Sequence, residues 1–366
     1  MAGRPGAGPC SPAGFTDQVH WEAIELVKIG IVGMGFIGQQ HFGTWQNVEG
    51  AQVVAVADKE VDRIAASANA IGGNVGDAAA LDLSAVQRYS SLEDMLAAGG
   101  LDAVDICLPT FLHPQMTETA MAGGVNVICE KPMALDVAAC DAMLASAEKH
   151  GKMLFIAQCI RFWPEYEVLA NMIKSGQLGR LVSLKFTRVS ASPFWSQGGW
   201  LNDISKSGGA LLDLHIHDAD FVQSILGMPK AVFSQIGAIT EGGPKVDHTI
   251  SHYLYGGGDM VVVVEGGWAM PQTYPFEMAF EVLGEKGCLS FSTSNDPTLT
   301  WMPFDGEAVT PEFRATTGYQ QELEYFTACI AEGKQPERVQ PFEAREAVRL
   351  VAAEKQSAET GQIVEL

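Results

Sequence analysis

No apolar run in the chain approaches the roughly 18 residues that a membrane-spanning helix requires, so no membrane association is expected. Basic residues are scarce, 23 Lys and Arg against 44 Asp and Glu, for a formal net charge of -21. So acidic a molecule repels polyphosphate chains at long range, and nucleic acid is not an expected partner. Paired cysteines are missing as well. Seven are scattered at Cys10, Cys107, Cys129, Cys140, Cys159, Cys288 and Cys329 with no CxxC spacing, several of them inside apolar runs. That distribution fits buried thiols in a reducing compartment better than a disulfide framework. The first 20 or so residues are rich in Gly, Pro and Ala, with neither a basic start before an apolar segment nor a twin arginine. We read residues 1–27 as a disordered tail and expect a cytoplasmic location.

What is present is the composition of a globular protein, 47% hydrophobic and 18% charged. At 366 residues the chain exceeds the roughly 250 at which single cores stop growing, so two domains are expected. From Lys28 short β-rich runs (28–33, 51–57, 103–108, 126–129, 153–159) alternate with helical stretches (36–46, 92–98, 114–122, 137–150). This pattern predicts a doubly wound α/β unit with a parallel sheet over residues 28–159. Beyond it, runs at 181–189, 231–239, 248–255, 260–265, 276–283 and 288–292 predict a large, mostly antiparallel open sheet. Helices are expected at 207–226, 319–331 and 343–360, making residues 160–366 an α+β domain.

The first strand runs into Gly33-Met-Gly35-Phe36-Ile37-Gly38, a GxGxxG turn at the entry of a helix. Such glycines permit close backbone approach, and a helix N-terminus offers N–H groups to a pyrophosphate. The second strand ends at Asp58, 23 residues after Gly35, near the spacing of an acid that hydrogen-bonds a ribose 2'-hydroxyl. A carboxylate there repels a 2'-phosphate, so NAD is expected over NADP.

Hydride transfer from an alcohol to a nicotinamide needs a proton acceptor and a charge that stabilises the developing alkoxide. Glu130-Lys131-Pro132 closes a parallel strand, at the sheet edge where open α/β folds bind ligands. Read as one helix from Ser207, the segment Asp213-Leu-His215-Ile-His217-Asp218 puts Asp213 and His217 on one face, as an acid holding a general base. A solvated lysine and an acid-rich first helical turn are the plain alternatives. His215 and His217 diverge by about 200° on a helix, so no shared metal is expected.

In these motifs, with Val104–His113 after the fourth strand, the chain from Lys28 to about Leu366 resembles the glucose-fructose oxidoreductase / inositol dehydrogenase (Gfo/Idh/MocA) family. The resemblance implies that Lys131 is the catalytic lysine, that His217 transfers the proton, and that Asp213 is its partner acid. It implies that Pro109, Thr110 and His113 lie along the cofactor and that Glu130 sits beside its nicotinamide half. It also implies a homodimer or homotetramer built on the second sheet. The chain departs from the family in carrying His215 at a commonly small position, where it either lines the pocket or packs on the sheet.

Indole faces stack on sugar rings and arginine binds hydroxyls or carboxylates, so Arg161, Trp163, Trp195 and Trp200 are candidate substrate contacts, with core or dimer packing as the alternative. The expected function is NAD-dependent oxidation of a secondary hydroxyl of a sugar, cyclitol or related carbohydrate. Its rivals are a glycosidase using bound NAD for transient oxidation, and a non-catalytic NAD-responsive regulator.

Overall fold

In the computed structural model, which describes residues 26–62, 72–73, 76–77, 82–194, 196–239 and 246–366, the first half folds around a six-stranded parallel sheet. After β1 (Val27–Val32) and β2 (Ala51–Ala57), β3 (Gly72–Gly73) and β4 (Gly76–Asp77) pair with each other. β5 (Gln87–Tyr89), β6 (Ala103–Ile106), β7 (Asn126–Glu130) and β8 (Leu154–Ala157) complete the sheet, in the order β5-β2-β1-β6-β7-β8. Helices cover both faces, which is why β6 and β8 are apolar and buried at nearly every position rather than alternating.

Among the described residues, the α-helices with assigned bounds in this half are α1 (Phe36–Trp45), α2 (Leu92–Ala98), α3 (His113–Ala122) and α4 (Val137–His150). Local chemistry sets their ends. The Ser91 hydroxyl accepts the Asp94 N–H at 3.1 Å to start α2, and Asp136 accepts from Ala139 at 2.8 Å to start α4, which Gly151 ends at φ 61°. The chain leaves β1 for β2 on one side and returns to β6 on the other. A crevice opens at that switch point, beyond the carboxyl ends of the strands.

α5 (Pro164–Lys174), which the sequence pattern did not single out, leads into an eight-stranded sheet. Its strands are β9 (Leu181–Ala191), β10 (Ala231–Ile239), β11 (Val246–Leu254), β12 (Val261–Met270), β13 (Glu277–Gly284), β14 (Gly287–Ser292), β15 (Leu299–Pro303) and β16 (Val364–Glu365). The order is β15-β14-β13-β9-β12-β11-β10-β16, antiparallel throughout except where β9 and β12 run parallel. Burial alternates along β13 and β14, the mark of a sheet with one covered and one open face.

Two expectations need correction. The single helix expected over 207–226 is three pieces, α6 (Ile204–Ser207), α7 (Gly209–Asp213) and α8 (Ile216–Leu226). Gly208 and Gly209 take φ of 79° and 75°, and a second break follows Asp213 where the His215 ring is buried, its Nε2 2.9 Å from Glu354 Oε1. β12 also runs past its expected end at Glu265. Gly266 lets the sheet approach this break, since a Cβ there would stand 2.7 Å from His215 Nδ1.

α9 (Gly318–Glu332) follows the second sheet in sequence but packs on the parallel one, with the Phe326 ring tilted against Phe155 at 4.9 Å between centroids. α10 (Pro341–Thr360) begins with a Gln340/Glu343 capping box and lies along β10 and α8 while reaching α4. Its buried Ala347, Val348 and Val351 join the core that runs from one sheet to the other. No helix among the described residues is long and apolar enough to cross a membrane. Residues 1–25 of the expected tail lie outside the described residues, as does Trp195.

Candidate active site

A cleft of about 750 Å³ lies along the carboxyl edge of the parallel sheet and is closed on its other side by the second domain. Gly33, Gly35, Phe36 and Ile37 line one end of it. Gly38 stands behind them and fixes the turn: a Cβ there would fall 1.9 Å from the Gly33 carbonyl oxygen, so only glycine lets α1 lie so close to β1. Gly35, at the N-cap of α1, has no side chain with which to cap the helix. Asp58 lines the same end, its Oδ2 accepting the Met34 N–H at 2.8 Å and its Oδ1 the Glu60 N–H at 2.8 Å. A narrow backbone turn under a helix N-terminus, with a carboxylate at the end of β2, is a cradle whose donors suit a dinucleotide.

Along the cleft, Pro109 and Phe111 form the wall after β6, whereas Thr110 and His113 are buried behind it. The two ring nitrogens of His113 lie 2.9 Å from the Pro132 carbonyl and 2.8 Å from that of Leu108. His113 therefore ties together the two loops that form the wall and does not itself line the cleft. Burial lowers its pKa.

Glu130 and Lys131 leave β7 in different directions. The Lys131 ammonium reaches across to the second domain and donates to the Asp213 backbone carbonyl at 2.9 Å, with Asp213 Oδ1 at 3.4 Å. Glu130 Oε2 accepts the Lys131 backbone N–H at 2.9 Å, and its Oε1 is 3.0 Å from His41 Nε2. Asp213 and His217 both line the cleft, but no hydrogen bond joins them. The break after α7 removes the shared helical face that the sequence spacing implied, and Asp213 engages Lys131 instead. His217 Nδ1 is buried without a partner.

Burial, with Lys131 and Arg188 adding to it, holds the His217 pKa well below its ordinary value. Burial raises that of Asp213, which the Lys131 charge only partly offsets. A neutral imidazole and an ammonium thus face one space, a proton acceptor beside a fixed positive charge.

Trp163, Trp200, Trp268, Phe276 and Tyr319 add aromatic rings to the lining. Phe276 and Tyr319 lay outside the sequence reading of the site. Tyr319 enters because α9 docks on the first domain, which no local pattern signals. Arg161 is a correction. Its guanidinium is buried and bound to Asp220 through two contacts of 2.7 Å and to Glu343, facing away from the cleft. His215 likewise packs between Gly266 and Glu354 and does not reach the cleft.

Residues 27–158 match the family model described as an oxidoreductase family with an NAD-binding Rossmann fold, and residues 166–290 match the GFO/IDH/MocA C-terminal domain. These stretches together make up more than half of the chain. D-apiose dehydrogenase of Paraburkholderia graminis is 25% identical over 94% of this chain and 90% of its own. Inositol 2-dehydrogenase of Rhizobium meliloti is 28% identical over 84% of this chain and 89% of its own. Among solved structures, a Bordetella pertussis dehydrogenase in complex with NADH and UDP-GlcNAcA superposes with a TM-score of 0.76, covering 93% of this chain and 98% of that one at 20% identity. That last likeness concerns the fold.

Proposed function

Because the chain belongs to the Gfo/Idh/MocA family of NAD-binding oxidoreductases, we propose that it moves a hydride between NAD and a secondary hydroxyl of a sugar, cyclitol or related carbohydrate. The observation that carries this reading is the meeting of Lys131, Asp213 and His217 in one cleft with the glycine turn and Asp58. When bound, NAD supplies the hydride acceptor. The chain's own part is to hold the alcohol, take its proton and stabilise the alkoxide.

His217 is the general base: uncharged, with its ring on the cleft. Lys131, held by Asp213, places its ammonium where the alkoxide oxygen develops. Trp163, Trp200 and Trp268 offer flat faces to the C–H side of a ring, and Asp58 selects NAD by repelling a 2'-phosphate. The related apiose and inositol enzymes support the choice of substrate class. We place the domain boundary near Cys159 and assembly on the open face of the second sheet.

The test is NADH appearance across free sugars, cyclitols, sugar acids and aryl glycosides, with NADP in parallel. One class turns over with NAD, and His217→Ala or Lys131→Ala lowers kcat by at least about 10²-fold while NAD still binds. Undiminished turnover in both variants would sink the assignment. Silence with every free carbohydrate, with an aglycone released from a glycoside, would move the reading to glycoside cleavage by transient oxidation.

A further inference from the structure

A pyrophosphate is a dianion, and a molecule with 44 acidic against 23 basic residues repels it at long range. The turn Gly33-Met-Gly35-Phe36-Ile37-Gly38 offers it backbone N–H groups but no basic side chain. Among the described residues, the cations that line the cleft are Lys59, Lys131, Arg188 and Lys206. Lys59 follows Asp58 at the end of β2, on the side of the adenosine ribose. Lys131 is held on Asp213. Arg188 is buried, with Nε 2.7 Å and Nη2 3.0 Å from the two oxygens of Asp218 and Nη2 3.1 Å from the Tyr166 hydroxyl. Lys206 has no comparable tie.

Lys206 comes from the second domain, on α6, whose base is firmly set. Asp203 Oδ1 accepts the Ser205 N–H at 3.1 Å and its hydroxyl at 2.6 Å, and the Ser207 hydroxyl donates to the Leu201 carbonyl at 2.7 Å. From that base α6 packs across the cleft on the helical turn Thr110–Leu112 of the first domain, which follows β6. β6 lies next to β1, and the exits of the two strands touch: a Cβ on Gly33 would stand 2.5 Å from the Cys107 carbonyl oxygen and 2.8 Å from Leu108 Cδ2. The glycine turn, the turn after β6 and α6 are therefore neighbouring walls of one passage.

The Lys206 ammonium rests 2.7 Å from Asp203 Oδ2, with the two side chains 44% and 39% exposed. So exposed a pair is weakly held. Asp203 keeps its bonds to Ser205 when the lysine swings away on its flexible stem, so the exchange leaves the cap of α6 intact.

We propose that Lys206 is a cofactor-binding residue contributed by the second domain: it exchanges Asp203 for the pyrophosphate of the dinucleotide, which is then held between the N–H groups at the start of α1 and an ammonium from across the cleft. The inference rests on the reading that this cleft binds NAD. The oxidised and reduced cofactors share the pyrophosphate and gain equally from this contact.

The experiment is direct titration of the full chain with NAD+, NADH and ADP-ribose, which keeps the pyrophosphate and lacks the nicotinamide. The unmodified protein is compared with Lys206→Arg, Lys206→Met, Lys206→Glu and Asp203→Asn, between about 0.05 and 0.5 M salt. Lys206→Met should weaken all three ligands by one common factor, about tenfold at low salt and less at high salt, as the loss of a charge-assisted hydrogen bond to phosphate predicts. Lys206→Glu should weaken them further, and Lys206→Arg should bind as the unmodified protein does, a grading by charge that loosened packing does not produce. Asp203→Asn, which keeps the helix cap and releases the ammonium, should bind at least as tightly. Unchanged ADP-ribose binding in Lys206→Met and Lys206→Glu overturns the inference. So does a loss confined to NAD+ and NADH, which would put Lys206 at the nicotinamide end. Failure of the unmodified protein to bind any of the three ligands overturns the NAD reading itself.

Discussion

At the scale of single residues, the decisive property is the protonation state of a few buried groups. His217 lies between desolvation and two cations, Lys131 and Arg188, all of which act against its protonated form. A base works only above its own pKa, so depressing that value extends the working range toward acid. The acid limb of kcat/KM for alcohol oxidation should therefore lie below the ordinary imidazole value of 6.5. A pH profile whose acid limb is centred above about pH 7 would remove His217 from the role of base. The same physics makes Arg161 unsuitable as a substrate ligand. With Asp220 and Glu343 already on its guanidinium, freeing it would leave the buried Asp220 carboxylate uncompensated at a cost of about 3–5 kcal/mol.

At the scale of elements, the break between α7 and α8 aims the site. It turns Asp213 toward Lys131 and buries His215 against Gly266 and Glu354. Gly266→Ala puts a methyl 2.7 Å from His215 Nδ1, so the ring must move and Asp213 with it. We expect a loss of about 1–3 kcal/mol in stability and at least a tenfold fall in kcat with NAD affinity kept. Denaturant melts and NAD titrations would check this, and a variant with unaltered kcat would show that the break does not aim the site.

This break also marks where the sequence stops being legible. The strand–glycine turn–helix opening, the acid at Asp58 and the strand ending at Glu130 are local patterns, and the sheet of the first half follows from its alternation. Periodicity over 207–226 described a helix that tertiary packing divides, because nothing local reports that Gly266, on a strand far along the chain, receives His215. The His41–Asp105–Glu130 cluster escaped for the same reason: its members come from three elements joined only by the fold.

At the scale of the whole molecule, the second sheet leaves one face bare. Ile250, Leu254 and Val261 on adjacent strands are 41%, 39% and 52% exposed, amid polar neighbours. Apolar side chains grouped on an open sheet are what an isologous contact buries. Light scattering at micromolar concentration should return a dimer or tetramer, and Ile250→Asp should shift it toward the monomer. A monomeric mass for the unmodified chain would end that proposal.

The contact between Lys131 and Asp213 has a thermodynamic corollary. One partner belongs to the half that carries the glycine turn and the other to the half that faces it across the cleft, so the contact couples the register of the two halves at the site. A ligand that strengthens this contact favours the register that the other ligand also meets, and by linkage the benefit is equal in both directions. A substrate should then bind the NAD-loaded protein more tightly than the empty one, by the same factor with which it tightens NAD.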